Sequence, residues 1–510
     1  MTQRQGRAER TRKRASAATR HFDQAWRNWK NPYPPIEQFS QDQIEAIHEA
    51  SLTVLSDVGI KVLSKDARAY FGSAGMTVKG DIVHFDPEIL MDLISKAPPK
   101  VTLRARGENR DATIGQGHVS VCTTGGTPNF SDLQSGRQPG TLSALDNFCK
   151  LAQRFDVIHL IGPFVEPQDI APNLRHLHMT RSALTHTDKI PFVFFRGTQA
   201  VSDAYELIRL ANGVSETEFR KRPYSYAIAN SNSPLMLDGL MCKGIIDAAL
   251  AGQLMVLTPF TLAGAMAPVT VTGALVAQNA EALAGLSLTQ IVNPGAPMCY
   301  GSFTSNVDMR TGAPAFGTPE YAKAAFASGQ LARRYNLPLR SSGVTSSNTV
   351  DAQAAYETQM SLWGALMGGT NLLLHGAGWL EGGLTASAEK FVIDVEMLQM
   401  FAELFKPLRI SHEDLALDAI RSVGHGGHFF GTQHTLERFE TAFYSPLVSD
   451  WNNFENWAER GGKTATERAN QIYLETIERY EPPPLDPARL EAMDAFIAKR
   501  IEEGGADISR

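Results

Sequence analysis

Several features that mark common protein classes are missing from this 510-residue chain. It has only four cysteines, with no CxxC pair, which excludes a disulfide framework and fits a reducing cytoplasm. Its 48 Lys and Arg residues do not exceed its 54 Asp and Glu residues, which argues against broad nucleic-acid binding. No uninterrupted apolar run reaches the roughly 18 residues of a membrane span, so no membrane partner is predicted.

Motifs for nucleotide binding, hydrolysis and metal binding are also missing. No GxGxxG follows a strand and opens a helix, and neither GxxxxGK[ST] nor GxSxG occurs. His425, His428 and His434 lie close together, but their spacing matches no standard zinc pattern and no cysteine or acid completes the set. We therefore predict neither a metal nor a nucleotide of the chain's own.

The first residues differ in composition from the rest. Seven Arg or Lys residues and one acid occur among the first twenty, without the apolar region of a secretory signal. An organellar transit peptide would share this composition, but a disordered basic arm over residues 1–35 is favoured. Order is predicted from Ile36, with a helix that begins after Ser40 and stops at Gly59. Residues 36–117 are predicted to form a small α+β cap.

From residue 118 one pattern occurs eight times: a short apolar run ends in Gly, Pro, Ser, Thr or Asn, and an amphipathic helix follows. The runs are VSVCTTGGTP, VIHLIGPF, PFVFFRGT, YSYAIANSNSP, LMVLTPFTLAG, PMCYGSFTSN, PLRSSGVTSSN and NLLLHGAGWLEGG. Eight such units predict an α/β fold, a TIM (β/α)8 barrel, over residues 118–402. A doubly wound open sheet is the alternative, but it rarely runs to eight successive units. Residues 403–510 are predicted to be a helical extension packed on the barrel.

The carboxyl ends of barrel strands are where catalytic groups lie, so the last residue of each run is a candidate. This rim is poor in acid–base groups and rich in aromatics and amides. It suits recognition of a cation by aromatic faces, where each ring contributes about 0.5–2 kcal/mol. Aromatic residues on barrel strands also commonly serve as core packing, and for any one ring packing is the commoner role. The candidates are Thr124, Gly125, Gly126, Phe164, Glu166, Phe195, Arg196, Asn230, Asn232, Thr258, Phe260, Tyr300, Phe303, Asn306, Thr345 to Asn348, His375, Trp379 and Glu381.

Long passages of the chain resemble the trimethylamine methyltransferase family. They are LPLRSSGVTSSNTVDAQAAYETQMSLWGALMGGTNLLLHGAGWLEGGLTASAEKFVIDVEML and GGHFFGTQHTLERFETAFYSPLVSD with ENWAERGG beyond it, and the resemblance extends over residues 36–480. It implies a barrel enzyme that moves a methyl group from a methylated amine to the cobalt of a separate corrinoid protein. Archaeal trimethylamine enzymes carry a pyrrolysine, expected here near Ser341 to Thr349, yet every residue of this chain is standard. The resemblance is therefore with the non-pyrrolysine branch (glycine betaine methyltransferase-like), whose donors are quaternary amines such as glycine betaine, proline betaine and carnitine.

The chemistry implied by this resemblance requires no acid–base or metal catalysis from the barrel. A quaternary ammonium already carries the charge that makes a neutral amine the leaving group, so positioning and desolvation are the main requirements. We assign no catalytic residue. Rim amides, Arg196 or Arg340 would hold a substrate carboxylate. The residues expected to bind substrate are Phe164, Glu166, Arg196, Asn230, Tyr300, Phe303, Asn348 and Trp379, and those expected to face the corrinoid are Thr345, Ser346, His375 and Glu381.

The expected partners are a small-molecule betaine and a cognate corrinoid protein that carries the cobalamin. A non-catalytic betaine-binding or regulatory protein on the same barrel is the alternative function. The sequence leaves open which quaternary amine is used, which corrinoid protein takes part, and whether the chain forms a homo-oligomer.

Overall fold

The structure, a computed structural model, describes residues 29–507. Most of the predicted basic arm, residues 1–28, lies outside the described residues. Its last part is ordered, because Trp29–Lys30 forms a strand paired antiparallel with His118 and Val119. The Trp29 side chain is buried at this pairing.

Eight parallel strands form the closed barrel that the repeated pattern predicts. The second and third strands are paired, and an unbroken ladder runs from the fourth through the eighth and back to the first. Single bridges, Cys122 to Leu160 and Phe192 to Tyr226, join the remaining neighbours and close the ring. In chain order the strands are His118–Val121, Leu160–Ile161, Ile190–Pro191, Tyr226–Ala229, Leu254–Leu257, Met298–Gly301, Leu339–Ser342 and Leu372–Leu374.

A helix follows each strand and covers the outside of the barrel. Most of them begin at a polar side chain that caps the first turn, such as Thr141, Thr270 or Asp351, which accepts a bond from a free backbone amide. The eight helices are Leu142–Arg154, Arg175–His186, Thr198–Asn212, Gly239–Leu250, Val271–Val292, Pro319–Arg334, Ala352–Met367 and Ala388–Leu404. A short helix, Glu216–Lys221, precedes the fourth strand.

The two ends of the barrel differ. A hairpin of strands Lys100–Leu103 and Ala112–Gly115 places its apolar side chains in one cluster with the lower inward-facing residues, including Leu254 and Tyr226. Its Arg104 amide bonds the Pro223 carbonyl, just before the fourth strand, so the hairpin fills the amino end of the barrel. Any site in the barrel must therefore open at the carboxyl end.

The cap forms as predicted from the Ser40 and Gly59 signals. Ser40 and Gln43 make a reciprocal capping box at the start of helix Gln41–Thr53, which continues as a π-helix, Val54–Val58. Gly59 stops it with φ of 76°, a conformation that favours glycine. The remaining cap elements are helices Lys65–Ser73 and Pro87–Ser95 and strands Ile60–Val62, Thr77–Lys79 and Ile82–His84, the first of which pairs with Met236–Leu237.

Additional strands surround the carboxyl end of the barrel. One sheet combines Phe260–Ala263, Phe303–Val307 and Pro314–Ala315, and the other combines Trp379–Leu380, Thr385–Ser387, Asn129–Asp132 and Gly136–Pro139. Between Trp379–Leu380 and Thr385–Ser387 lies a 3-10 turn, Glu381–Gly383. These strands follow the first, fifth, sixth and eighth barrel strands. They surround the opening at the carboxyl end, which we call the mouth.

The carboxyl-terminal part of the chain is helical, as predicted, but only its last portion packs on the barrel. Its helices are His412–Leu415, Leu417–Val423, Gln433–Arg438, Phe454–Glu459, Ala465–Glu478 and Pro487–Glu502. Buried residues of the last two, such as Tyr473 and Met493, join the main cores. Residues 406–446 contain no buried side chain, so the expected packing on the barrel fails for this stretch. Among residues 29–507 no helix is long and apolar enough to cross a membrane.

Candidate functional site at the barrel mouth

Aromatic side chains gather on one side of the barrel mouth. Phe303, two residues after the sixth strand, lies 5.0 Å from Phe260, 5.4 Å from Phe316 and 6.1 Å from Trp379 between ring centroids. His375 completes the group, 5.6 Å from Phe303 and 4.3 Å from Trp379. The rings come from the units after the fifth, sixth and eighth strands. Phe260 and His375 remain partly exposed, so the cluster is accessible from the mouth.

Arg340 lies inside the barrel beneath this cluster. It occupies an inward position of the seventh strand, is 1% exposed, and places its guanidinium carbon 5.1 Å from the Phe303 ring centroid. Nη1 donates to the Ser302 carbonyl at 3.0 Å, but within the described part of the chain Nε has no hydrogen-bond partner. Loss of hydration lowers the pKa of Arg340 to about 10, and the described groups that face it are tyrosines and cysteines, not carboxylates. A buried guanidinium in this state is a candidate binding site for an anion.

His375 packs beside the rings of Phe303 and Trp379. It has φ of 52°, and its Nδ1 lies 3.0 Å from the Ser342 hydroxyl. Loss of hydration, reinforced by the charge of Arg340, holds the pKa of His375 well below its usual value. The imidazole is therefore neutral near pH 7 and adds an uncharged ring to the cluster.

The loop after the seventh strand holds the cluster in place. Trp379 is 6% exposed and donates its indole N–H to the Thr345 carbonyl at 3.0 Å. The Ser346 hydroxyl accepts the Phe316 amide at 2.8 Å. Glu357, on the following helix, accepts both the Thr345 hydroxyl at 2.6 Å and the Ser346 amide at 2.8 Å. Thr345 is fully buried, so the structure places it behind Trp379 and not toward a corrinoid; Ser346 is only partly exposed.

A charged pair lies at the mouth, after the second and third strands. Glu166 forms ion pairs with Arg196 and, at 3.3 Å, with Arg175. The Arg196 guanidinium lies 4.7 Å above the Phe194 ring, and loss of hydration lowers its pKa. Phe194 in turn lies 4.9 Å from Phe192. Because Arg196 already has two partners, a carboxylate and a ring, it is less available to a ligand than Arg340.

Two of the aromatic residues predicted for the site lie elsewhere. Tyr300 is buried on the outer face of the sixth strand, where its hydroxyl donates to Asn279 at 2.9 Å. Phe164 is buried beneath the covering helices, 5.4 Å from Phe148 and 6.1 Å from Phe391. Both act in packing, and we exclude them from the site.

The remaining predicted residues lie on the rim. Asn230 and Asn348 follow the fourth and seventh strands and are exposed. Glu381 has φ of 52°, and both of its carboxylate oxygens accept Arg137 Nε at 2.9 Å. That pairing compensates the negative charge of Glu381. The groups that the rim exposes to a ligand or partner are therefore side-chain amides and a carboxylate already paired with an arginine.

Residues that the sequence interpretation overlooked also shape the mouth. Phe192 and Phe194 lie four and two residues before the predicted Arg196, and strand alternation puts all three on one face. That signal was available, whereas the predicted rim residue Phe195 points outward into the core. Phe316 follows a loop that no periodicity could place. Gly383, with φ of 102°, leaves room for the Trp379 ring, which a Cβ at that position would strike.

Buried hydroxyl groups without partners follow three of the barrel strands. Within residues 29–507, the side-chain oxygens of Thr124, Thr258 and Thr304 make no hydrogen bond with another group of the chain. They follow the first, fifth and sixth strands. Polar groups of this kind commonly bind water or a ligand.

Metal-binding arrangements were sought in the same residues. No group of three or more His, Cys, Asp or Glu side chains in the described chain is arranged to hold a metal ion. His425 and His428 are exposed and His434 is partly exposed, all within residues 406–447. The absence of zinc in the purified protein stays a prediction.

Comparison with known proteins places this chain among methyltransferases. A family model described as trimethylamine methyltransferase (MTTB) matches residues 3–505. The glycine betaine methyltransferase of Desulfitobacterium hafniense (strain Y51) is 35% identical over 93% of this chain and 99% of its own length. The trimethylamine methyltransferase MttB of Desulfitobacterium hafniense (strain DSM 10664 / DCB-2) is 30% identical over 91% of this chain and 94% of its own. The crystal structure of the Methanosarcina barkeri monomethylamine methyltransferase (MtmB) is similar in fold alone, with a TM-score of 0.50 and 12% identity over 94% of this chain and 92% of that one.

Proposed function

This chain belongs to the trimethylamine methyltransferase family and is a methyltransferase, and from that premise we propose its donor and its acceptor. The donor is a quaternary amine that bears a carboxylate, with glycine betaine as the simplest case. The acceptor is the cob(I)alamin of a separate corrinoid protein. Four free, buried cysteines fit our further proposal that the reaction takes place in the cytoplasm.

One observation carries the donor assignment: a buried guanidinium lies beneath a group of aromatic rings. Arg340 has an unpartnered Nε and no carboxylate facing it in the described structure, so an anionic group of a ligand would satisfy it. Phe303 and Trp379, whose ring centroids lie 6.1 Å apart, belong to the cluster that would bind a trimethylammonium head. A betaine carries both charges on one small molecule, with the carboxylate toward the barrel interior and the methyl groups toward the mouth.

The electrostatics of the ring cluster also support a permanently charged donor. The depressed pKa of His375 keeps this side chain neutral, so it does not repel a cation. The carboxylate-bound Arg340 would likewise be compensated by its ligand. Burial excludes water around the ammonium, which strengthens its attraction to the rings.

The reaction then requires positioning more than acid–base chemistry. The C–N bond breaks with its electron pair on nitrogen, and the neutral dimethylated amine leaves. The reduced cobalt of the partner supplies the nucleophile, so the chain needs to hold and desolvate the donor. Support for an incoming planar cofactor comes from the open rim, where Asn230 and Asn348 are exposed. Neither residue needs to move a proton.

The test is methylcobalamin formation from free cob(I)alamin, followed by absorbance. Glycine betaine, proline betaine, carnitine and trimethylamine are compared in parallel, with tetramethylammonium as a quaternary amine that lacks a carboxylate. We expect at least one betaine to react, trimethylamine to fail, and tetramethylammonium to react poorly. The dimethylated product should not react further, because it has lost the fixed positive charge.

Two results would overturn the proposal in different ways. Trimethylamine reacting as fast as the best betaine would show that another group activates a tertiary amine. Betaine binding in calorimetry without methyl transfer to any cobalt acceptor would favour the binding-protein alternative.

A further inference from the structure

A cavity lies among the helices that cover the outside of the barrel. It has a volume of about 420 Å³ and is formed by helices Thr198–Asn212, Glu216–Lys221 and Gly239–Leu250 with the residue that follows the last of them. Cavities that bind small molecules commonly have volumes of roughly 300–1,000 Å³. This cavity is therefore large enough for a small organic ligand, and regular secondary structure holds its lining in place.

Three residues that line this cavity carry buried polar atoms without a partner. Within residues 29–507, no hydrogen bond is made by Asp247 Oδ2, the Tyr205 hydroxyl or Arg209 Nε. Tyr205 is only 8% exposed, and its ring centroid lies 5.4 Å from that of Phe219, which is 2% exposed. Buried polar groups are normally satisfied by hydrogen bonds, so these three atoms are where water or a polar ligand would bind.

The charges of the lining leave one carboxylate without a counter-ion. Loss of hydration raises the pKa of Asp247, and the opposing effects of the Thr198 hydroxyl and of Lys243 do not cancel that rise. A cationic group beside Asp247 would offset the cost of burying its charge. The arginines of the lining already pair with glutamates on their own helices: Arg209 with Glu206, and Arg220 with Glu216 at 2.6 Å.

The three unpartnered atoms define the chemistry of a ligand. An ionised Asp247 only accepts hydrogen bonds, Arg209 Nε only donates, and the Tyr205 hydroxyl does either. We propose that the cavity binds a small zwitterion that carries an ammonium N–H and a carboxylate, such as an amino acid or N,N-dimethylglycine. The ammonium donates to Asp247 and to the Tyr205 oxygen, and the carboxylate accepts from Arg209 Nε.

A quaternary amine fits this cavity less well than an amine with an N–H. Glycine betaine has no ammonium N–H, so it would leave Asp247 Oδ2 and the Tyr205 hydroxyl buried and unsatisfied, which costs binding free energy. N,N-dimethylglycine, which is glycine betaine less one methyl group, gains that N–H on protonation. No residue that lines this cavity belongs to the ring cluster at the mouth, so the site is independent of the donor proposed there.

The test is calorimetry of N,N-dimethylglycine with the full chain carrying Arg340→Gln, which removes the carboxylate contact proposed at the mouth. We expect one site per chain. Adding Asp247→Asn should weaken binding by roughly tenfold or more, because a charged hydrogen bond is replaced by a neutral one. Tyr205→Phe should also weaken it, since only the hydroxyl is removed. The matched control, Asp92→Asn, changes an exposed carboxylate on the cap and should leave binding unchanged.

Three further ligands separate the chemical requirements of the cavity. Glycine should bind, whereas glycine betaine, without an N–H, and dimethylammonium, without a carboxylate, should bind by roughly tenfold or more less tightly. No binding of either N–H zwitterion to the Arg340→Gln chain would overturn the proposal, as would equal binding with Asp247→Asn or Tyr205→Phe. With Arg340 intact, Asp247→Asn should still transfer methyl groups from the donor, so failure of this site and failure of the proposed function give different results.

Discussion

Arg340 is the residue whose environment is hardest to explain by packing alone. Burying a guanidinium costs free energy unless its N–H groups are satisfied and its charge is compensated. The chain provides the Ser302 carbonyl and the face of Phe303, but Nε makes no bond among the residues described. Binding of a ligand that completes the hydrogen bonds of Arg340 would explain why a buried position holds a charged side chain.

Replacing Arg340 separates recognition of the carboxylate from recognition of the ammonium. Arg340→Gln should weaken glycine betaine binding by roughly 2–4 kcal/mol, because a charged hydrogen bond is lost. Binding of tetramethylammonium should change little. Calorimetry with both ligands measures the two effects, and thermal unfolding checks that the variant is folded. Equal losses for the two ligands would show that Arg340 supports the site as a whole.

The aromatic cluster predicts a preference for charge over shape. Trp379→Leu removes an aromatic face while keeping apolar bulk, and should weaken betaine binding by about 0.5–2 kcal/mol. Binding of the carbon isostere of glycine betaine, whose nitrogen is replaced by carbon, should be unaffected. Phe164→Leu is the control, since that ring is buried away from the mouth: it should lower stability and leave binding unchanged. If Trp379→Leu binds betaine like the parent chain, the ring serves packing.

Strand alternation decides which of the residues expected at the site reach it. Tyr300 and Phe195 fall on outward positions and join the core. Arg196 and Arg340 fall on inward positions. The sequence shows that a run is a strand, but not which of two successive residues faces inward when both faces are apolar. A short parallel strand in a barrel is buried on both sides, so its pattern does not alternate.

At the scale of elements, the loop after the seventh strand connects helix Ala352–Met367 to the ring of Trp379. Glu357 reaches from helix Ala352–Met367 to the Thr345 hydroxyl and the Ser346 amide. Thr345 in turn accepts the indole of Trp379. The helix thereby fixes the orientation of a ring in the cluster, although Glu357 itself touches no ring of it.

Removing this connector should affect binding through Trp379. Glu357→Ala leaves the Thr345 hydroxyl and the Ser346 amide without their acceptor, which costs roughly 1–3 kcal/mol. We expect a lower melting temperature, a higher KM for betaine, and altered tryptophan fluorescence. Glu357→Gln keeps a carbonyl acceptor, so its melting temperature and its KM for betaine should both lie close to those of the parent chain. Unchanged fluorescence and KM in Glu357→Ala would show that the loop is held by other contacts.

All eight barrel strands and their helices follow from the sequence, because each unit repeats the same physical pattern. An apolar run is followed by turn residues and by a helix with one apolar face. The added strands around the mouth do not follow from it. Phe303–Val307 pairs with Phe260–Ala263 across a separation that only the closed barrel brings together. Phe316 therefore joins the cluster through tertiary structure, without a local signal.

The whole molecule is a barrel with one closed end and one open end. The hairpin of Lys100–Leu103 and Ala112–Gly115 fills the amino end, while exposed Asn230 and Asn348 edge the carboxyl end. On the proposed function, donor and cobalt would then approach through the same opening. The donor would enter first and lie deeper, because Arg340 lies beneath the rings.

Narrowing the rim should therefore separate methyl transfer from donor binding. Asn348→Trp adds a large ring at the opening, where it would hinder a planar cofactor more than a small betaine. We expect methyl transfer to free cob(I)alamin to fall at least tenfold, while the betaine Kd from calorimetry changes less than twofold. Lys100→Trp places the same ring on an exposed residue at the closed end, so it should alter neither quantity. A fall in transfer with Lys100→Trp would contradict entry of the cobalt at the carboxyl end. An equal loss of betaine binding in Asn348→Trp would instead place Asn348 in the donor site itself, as the sequence alone predicts.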